Sequence, residues 1–303
     1  MLAARTAISE TVSKVGETVT LMGWVDTKRD HGKLTFVDLR DRSGKVQCVG
    51  YQKMGELTGE SVVKIVGLVK ARPEKMVNTE LPTGTVEVDV QEYEVLNKAT
   101  ELPIPIEGDG LDIKEELRLQ YRYLDLRRER MAKIIKLRSD YSQAVRNAFH
   151  SRAFYEIETP LLTTATKEGA RDFVVPSRFY PGKFFALPQS PQQYKQLLMT
   201  AGVEKYFQLA RCLRDEDLRA DRGFEFTQID VEMSFVDQND VMETIEAVVK
   251  EAITAVGGKL KDQEFPVFTY QEAIEKFGAD KFDLRTEEDK QAGVLAFAWV
   301  IKF

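Results

Sequence analysis

Residues Tyr206–Val236 read YFQLARCLRDEDLRADRGFEFTQIDVEMSFV. Two alternating runs flank a charged loop, the pattern of an antiparallel hairpin. The first run, Tyr206–Leu213, is a strand that leads into Arg214. In the second, Phe226–Val236, the side chains of Phe226, Gln228, Asp230 and Glu232 share one face. Thr227, Ile229, Val231, Met233 and Phe235 share the other, because successive strand residues point to opposite sides. The apolar face needs a core. The polar face is either an open sheet surface or the floor of a wet site, and Phe, Gln, Asp and Glu together favour the floor. The connecting loop, Asp215–Glu225, holds seven ionisable groups in eleven residues, so it is either solvated or organised by a charged ligand. Arg214, Arg219 and Arg222 are suited to phosphates gripped by guanidinium forks.

Outward from the hairpin the spacing turns helical. Met131, Ile134, Leu137, Tyr141, Val145 and Phe149 recur every three or four residues, one apolar face of a long helix. Ser190-Pro191 supplies an N-cap and a first-turn proline for a helix reaching Ala201, closed by Gly202. Asp240–Val256 is a third helix, stopped by Gly257-Gly258. No regular βαβ alternation is present, which disfavours a doubly wound fold. The fold class is therefore α+β, with an antiparallel sheet flanked by helices over residues 131–303.

Leu102–Gly110, LPIPIEGDG, reads as a linker by its Pro and Gly content, and a hinge spans residues 104–130. Ahead of it, residues 1–103 hold five β-branched runs: Glu17–Val25, Lys33–Arg40, Gly44–Gly50, Ser61–Arg72 and Thr85–Leu96. Short strands broken by Gly, Pro and Asp predict a small barrel or sandwich, and a five-stranded OB-fold β-barrel fits the count. Lys28, Arg29, Lys33, Arg40, Arg42 and Lys45 cluster around its first two turns, beside Phe36.

The whole chain of 303 residues is 43% apolar and 30% charged, a globular composition. Its 43 basic and 49 acidic residues leave a net charge of −6, which argues against nucleic-acid binding by bulk positive charge but not by a local patch. Cys48 and Cys212 make no disulfide framework, and His31 and His150 are too few for a His-rich metal site. The longest wholly apolar run, Val294–Ile301, is far short of the roughly 20 residues that span a bilayer. No secretory signal is read in the first residues, so a cytoplasmic, membrane-free protein is expected. Neither G-x-G-x-x-G nor a P-loop occurs, so any nucleotide is held by other means.

The segment FQLARCLRDEDLRADRGFEFTQIDVEMSF closely resembles motif 2 of the class II aminoacyl-tRNA synthetases, in the form carried by bacterial-type aspartyl-tRNA synthetases. RDHGKLTFVDLRDRSGKVQCV resembles that family's anticodon-binding OB domain, and LRLQYRYLDLRRERM its hinge. FYEIETP (Phe154–Pro160) resembles motif 1, through which these enzymes form homodimers. TKEGARDFVVPSR and FFALPQSPQQYKQLLM resemble the amino-acid pocket. The likeness runs in order from about residue 15 to 303. The wording around QSPQQYKQLLM and ARCLRDEDLRADR disfavours the asparaginyl and lysyl relatives.

The resemblance implies an aspartate–tRNA ligase that activates L-aspartate with ATP and Mg²⁺ and passes the acyl group to the 3′ end of tRNA(Asp). It implies that Arg214 and Glu216 are the catalytic pair, with Arg214 bridging the α-phosphate and the substrate carboxylate. Attack of one anion on another needs such a fixed positive charge. ATP is implied to contact Arg214, Asp215, Glu216, Arg222, Gly223 and Phe226, the last by stacking on adenine. Aspartate is implied to contact Glu168, Gln192, Lys195, Arg214 and Asp230, with Gln228 and Glu232 ranked below. By pattern alone Lys195 is a solvated helix lysine, and Glu168 with Arg171 a local ion pair.

In the OB domain the resemblance implies Arg29, His31, Phe36 and Gln47 as anticodon residues, with Phe36 stacking on a base. By pattern alone Phe36 is equally a core strand residue. Some family members with His in this R-D-H-G turn accept both tRNA(Asp) and tRNA(Asn), while Lys75-Met76 departs from their usual Gly-containing turn.

Two departures concern extent. Asp283-Leu284-Arg285 is followed almost at once by Leu295–Ile301, so the large bacterial insertion is expected to be absent. The Mg²⁺-binding carboxylates, the second aspartate-binding arginine and motif 3 have no counterpart before Phe303. The resemblance therefore implies an incomplete catalytic domain, a chain nearly inactive alone in adenylate formation, or, as the competing reading, a non-catalytic tRNA-binding fragment.

Overall fold

The computed structural model describes residues 5–51, 54–218 and 222–303. The chain divides into two compact units, Met1–Asp125 and Leu126–Phe303.

In the first unit, β1 (Thr18–His31), β2 (Leu34–Asp41), β3 (Gly44–Tyr51), β4 (Val62–Ala71) and β5 (Val86–Asn97) close into a barrel of order β1-β2-β3-β5-β4. The five expected strands are all present. Strict alternation drives closure: Val37, Leu39, Val46, Cys48, Val63, Ile65 and Val88 all point inward and are fully buried. Gly67 lies where β4 and β5 slip register. A Cβ there would stand 2.5 Å from the carbonyl oxygen of Asp89, so this bulge requires glycine.

The basic cluster of the first turns is not the open patch that its sequence implied. Arg40 pairs with Asp26 at 2.6 Å and with Glu60 at 2.8 Å, Lys45 with Asp26 at 2.8 Å, and Lys28 with Asp30 at 3.3 Å. Carboxylates one or two strands away, invisible in a linear reading, neutralise most of it. The stretch Leu102–Gly110 is also more than a tether. Ile104 and Ile106 are buried against Leu124, with Leu102 and Tyr121 beside them, near the short helices α1 (Glu115–Gln120) and α2 (Arg122–Asp125).

The second unit is built on α3 (Glu129–His150), the short β6 (Tyr155–Glu156), the hairpin β7 (Val174–Pro176) and β8 (Phe184–Ala186), and α4 (Gln192–Thr200). The long strands β9 (Lys205–Leu213) and β10 (Glu225–Met233) follow, then α5 (Gln238–Ala255). Beyond them lie β11 (Lys259–Leu260), β12 (Val267–Thr269), α6 (Tyr270–Phe277), α7 (Glu287–Gln291), β13 (Val294–Leu295) and β14 (Trp299–Ile301). β9 and β10 pair antiparallel and β6 joins parallel to β9. One face of this sheet packs on α3 and α5 through Phe149, Phe154, Phe207, Val248 and Ala252, with Leu209, Val231 and Met233 beside them.

Three local expectations change. The α3 apolar stripe is buried at Met131, Val145 and Phe149, but Ile134 and Leu137 are about half exposed. The strand expected to reach Val236 ends at Met233, because Phe235 turns to positive φ and Asp237 caps α5 with a capping box. The helix expected from Ser190 begins at Gln192, with Pro191 at the cap position. The Ser190 hydroxyl is drawn instead to a carboxylate.

Candidate functional site

The register of the β9–β10 hairpin builds a floor. Phe226 faces Cys212, Gln228 faces Ala210, Asp230 faces Gln208 and Glu232 faces Tyr206. Directly opposed residues of an antiparallel pair project to the same side, so the polar row and its partners line one surface, opposite the core face. Arg214 is two residues beyond Cys212. Its backbone N–H donates to Phe224 O at 2.8 Å, its Nε donates to Gln189 O at 3.3 Å, and its guanidinium carbon lies 5.0 Å from the Phe226 ring centroid. Arginine and aromatic ring thus share one side of the sheet, as the alternation predicts. Below them, burial pushes the Cys212 thiol up to about 11. Arg214 pulls it down and Asp230 and Glu168 push it up, which puts all three charges around one point.

The carboxylate end is centred on Lys195. Its Nζ lies 3.0 Å from Asp230 Oδ1 and 3.3 Å from Glu232 Oε2, and donates to Val231 O at 3.4 Å. The lysine is mostly buried, so it is not the solvated helix residue that pattern alone allowed. Glu232, ranked low by sequence, belongs to this cluster. Burial pushes the Asp230 carboxyl above its usual range; Lys195 and Tyr206 oppose the shift and Glu232 adds to it. Tyr206 donates to Gln208 Oε1 at 2.8 Å, and Thr159 donates to the same oxygen at 3.0 Å.

Glu168 does not pair with Arg171. Its Oε2 accepts from Ser190 Oγ at 2.6 Å, while Arg171 Nε lies 3.8 Å from Asp215 Oδ2. Among the described residues, buried Glu168 Oε1 and Asp230 Oδ2 find no hydrogen-bond partner. A buried carboxylate oxygen without a donor costs on the order of 1–3 kcal/mol, so both atoms are fit to receive N–H groups of a ligand.

Gln192 opens α4 and is half-buried; its backbone N–H donates to Ser190 Oγ at 3.3 Å. Asp215 and Glu216 follow Arg214 and are half-buried, and Asp215 is held by its N–H to Arg171 O at 3.0 Å. Arg222 and Gly223 are exposed at the return of the loop. Arg219 lies outside the described residues. No group of three or more His, Cys, Asp or Glu is arranged to hold a metal ion among the described residues, and no described helix is long and apolar enough to cross a membrane.

A second candidate surface is on the barrel. Arg29, His31, Phe36 and Gln47 line a single cavity of about 280 Å³ together with Arg72, Met76 and Glu87. Phe36 sits on the outer face of β2, half-buried, so the core-residue alternative fails for it. His31 meets its ring edge-on at 5.6 Å. Arg29 is held by Asp38 at 3.0 Å and reaches Gln47 Oε1 at 3.4 Å, and Gln47 donates to Glu87 Oε2 at 3.1 Å. Sequence reasoning did not single out Arg72, Met76 and Glu87 as lining residues. The only signal for Arg72 was its place at the end of a strand run. Ser190, read as a helix cap, was missed for the same reason: short-range patterns outrank contacts made across the fold.

The family described as tRNA synthetases class II (D, K and N) matches residues 114–303, and the OB-fold nucleic acid binding domain matches residues 19–96. The aspartate–tRNA(Asp/Asn) ligase of Moorella thermoacetica is 52% identical over 282 residues, covering 91% of this chain and 47% of the relative. That of Phenylobacterium zucineum is 50% identical over 287 residues, covering 92% and 48%. Asparaginyl-tRNA synthetase from Pyrococcus horikoshii, solved with asparaginyl-adenylate, aligns with a TM-score of 0.78 at 27% identity, over 94% of this chain and 69% of that one. The chain spans about half the length of the curated relatives it matches.

Proposed function

Because the chain belongs to the class II tRNA synthetases of the D, K and N group, we propose that it serves aspartate–tRNA ligation. L-Aspartate and ATP give aspartyl-adenylate, and the acyl group then passes to the 3′ end of tRNA(Asp) and, given His31, of tRNA(Asn). The observation that carries the reading is the shared floor: Arg214 over Phe226 at one end and Lys195 between Asp230 and Glu232 at the other.

In the first step the substrate α-carboxylate oxygen attacks the α-phosphorus of ATP and pyrophosphate leaves. Arg214 offers one guanidinium to both anions, holding them together and offsetting the charge that builds on the phosphorus oxygens. Phe226 provides a face for adenine, with Asp215, Glu216, Arg222 and Gly223 around the nucleotide. In the second step a ribose hydroxyl of tRNA attacks the acyl carbonyl and AMP leaves. ATP arrives with Mg²⁺, and no step is assigned to a metal ligand of this chain because no such set is present among the described residues.

The charge count sharpens the aspartate assignment. Lys195, Asp230 and Glu232 together carry one net negative charge, so with Glu168 they receive the substrate's ammonium readily. The two unpartnered carboxylate oxygens and Gln192 support that placement. A β-carboxylate at Lys195 needs a further cation beside it. Exposed Tyr155, Leu161 and Leu162, in and just after Phe154–Pro160, support a homodimer through that segment. A cytoplasmic location goes with the function.

The test is calorimetric titration of the 303-residue chain with non-hydrolysable aspartyl-, asparaginyl- and lysyl-adenylate analogues. Preference for the aspartyl form is expected. A preference for either of the others overturns the substrate assignment, and no binding of any overturns the site.

A further inference from the structure

Gln189 is fully buried and precedes the serine that holds Glu168. Its side-chain amide makes three hydrogen bonds to one loop. Oε1 accepts from Ala170 N at 3.0 Å, and Nε2 donates to Ala170 O at 2.9 Å and to Asp172 Oδ1 at 2.6 Å. A primary amide is the complement of a peptide group, able to give and take at once, and here it reads both backbone groups of a single residue. The main-chain carbonyl of Gln189 meanwhile accepts from Arg214 Nε at 3.3 Å. One residue therefore ties the loop that carries Glu168 and Arg171 to the arginine at the strand end.

Neighbouring bonds run the same way. Leu187 N donates to Phe173 O at 2.8 Å, Leu213 N to Pro188 O at 2.9 Å, and Asp215 N to Arg171 O at 3.0 Å. These bonds hold the loop's far side by main chain alone. On its near side Gly169 has φ +102, a conformation that L side chains rarely adopt. The turn at Gly169 is stabilised on either side by Glu168 on Ser190 and by Ala170 on Gln189.

We infer that Gln189 is a positioning residue: its side chain latches residues 168–172 in the register that presents Glu168 to the amino-acid end of the floor, while its carbonyl sets the azimuth of Arg214. The consequence for substrate rests on the proposed aspartate pocket; the latch itself rests only on the geometry. Because the three side-chain bonds go to the loop and only the carbonyl goes to Arg214, replacing the side chain frees Glu168 and leaves Arg214 in place.

Hydrogen exchange resolved to single amides, on the 303-residue chain without ligand, tests the latch directly. Ala170 N–H is expected to exchange at least about tenfold more slowly in the wild type than in Gln189→Met, the scale of one or two buried hydrogen bonds. In Gln189→Glu the new carboxylate faces Ala170 O and Asp172, so protection is expected to be lost at neutral pH and partly regained as acid supplies a donor. A merely space-filling role would give no such pH dependence. Ala170 exchanging at the rate of an unstructured peptide in the wild type overturns the latch without recourse to any variant, and equal protection in wild type and Gln189→Met overturns it too. With the adenylate analogue, Gln189→Met is expected to weaken aspartyl-adenylate binding about tenfold while leaving ATP binding within about twofold. Loss of both in parallel refutes the division of roles. If the wild type binds no analogue yet protects Ala170, the functional reading fails and the latch stands.

Discussion

The guanidinium carbon of Arg214 lies 5.0 Å from the centre of the Phe226 ring, across the open end of the β9–β10 hairpin. The two residues are twelve apart in sequence, yet the register that opposes Phe226 to Cys212 brings them to one side of the sheet. A cation over an aromatic face is worth about 0.5–2 kcal/mol. Here it also presets the planar group edge-on to the space above the floor, where an anion can take two of its N–H groups. The pair is an apo arrangement that a nucleotide base exchanges for its own stacking on Phe226.

Arg214→Lys and Phe226→Leu separate the two contributions. Lysine keeps the charge but loses the planar fork and the Nε bond to Gln189 O. It is expected to weaken binding of the aspartyl-adenylate analogue by about 10–100-fold. Phe226→Leu removes the face for adenine and is expected to cost about 1–2 kcal/mol, seen equally with ATP alone. Calorimetry on both variants, with far-UV dichroism to verify folding, decides. Unchanged affinity in Arg214→Lys would show that this arginine does not touch the ligand.

Lys195→Met leaves Asp230 and Glu232 facing each other with no cation between them. Burial already raises the Asp230 carboxyl above its usual range, and Lys195 is the main group opposing that rise. A carboxyl raised in the folded state favours folding at low pH, and that benefit is lost as pH climbs through the raised value. Without Lys195 the rise is larger, so the variant is expected to be less stable than wild type at pH 7 by about 1–3 kcal/mol. The gap narrows as pH falls toward 4. Thermal melts from pH 4 to 8 measure it, and a gap independent of pH would mean that Asp230 is not the residue left exposed to the loss.

Much of this geometry was legible in the chain itself. Alternation alone separates Phe226, Gln228, Asp230 and Glu232 from Val231 and Met233, since a two-residue period leaves no other choice once the strand exists. The five barrel strands were legible for the same reason. What could not be read were contacts set by the third dimension. The pairing of Arg40 and Lys45 with Asp26 depends on strands meeting at one register. Ser190 looks like a helix cap because capping is local, whereas its bond to Glu168 spans 22 residues. Ile134 and Leu137 carry the helix period yet stay half-exposed, because periodicity marks a face without saying what covers it.

The barrel has its own acid sensitivity. Burial pushes the Asp26 carboxyl up, but Lys45 and Arg40 outweigh it and hold the group below its usual range. A carboxyl depressed in the folded state contributes stability above about pH 4, and that contribution is lost as pH falls through the lower value. Asp26→Asn is expected to cost about 1–3 kcal/mol at pH 7. Glu60 still engages Arg40 in the variant, which keeps the loss at that scale. Denaturant melts of both proteins at pH 7, 4 and 3 are expected to converge at the acid end. A constant difference down to pH 3 would show that the ion pairs with Asp26 contribute nothing.

The outer cavity of the barrel makes the sharpest separation between stacking and charge. Phe36 is half-buried on a strand whose inward residues are fully buried, so Phe36→Leu empties the cavity wall without opening the core. Base stacking on an aromatic is worth about 1–3 kcal/mol, and the variant is expected to bind an isolated anticodon stem-loop of tRNA(Asp) at least about fivefold more weakly, with an unchanged melt. His31 touches the edge of that ring at 5.6 Å and sits at the cavity mouth, where it contacts a base beside the stacked one. His31→Leu is therefore expected to leave tRNA(Asp) stem-loop binding within about twofold and to weaken the tRNA(Asn) stem-loop several-fold. Arg29 is already held by Asp38, so Arg29→Gln removes direction as well as charge. It is expected to reduce the salt slope of binding by no more than about one. Fluorescence anisotropy at several salt concentrations reads all three. Should Phe36→Leu bind as the wild type does, the cavity is not where the nucleic acid lies.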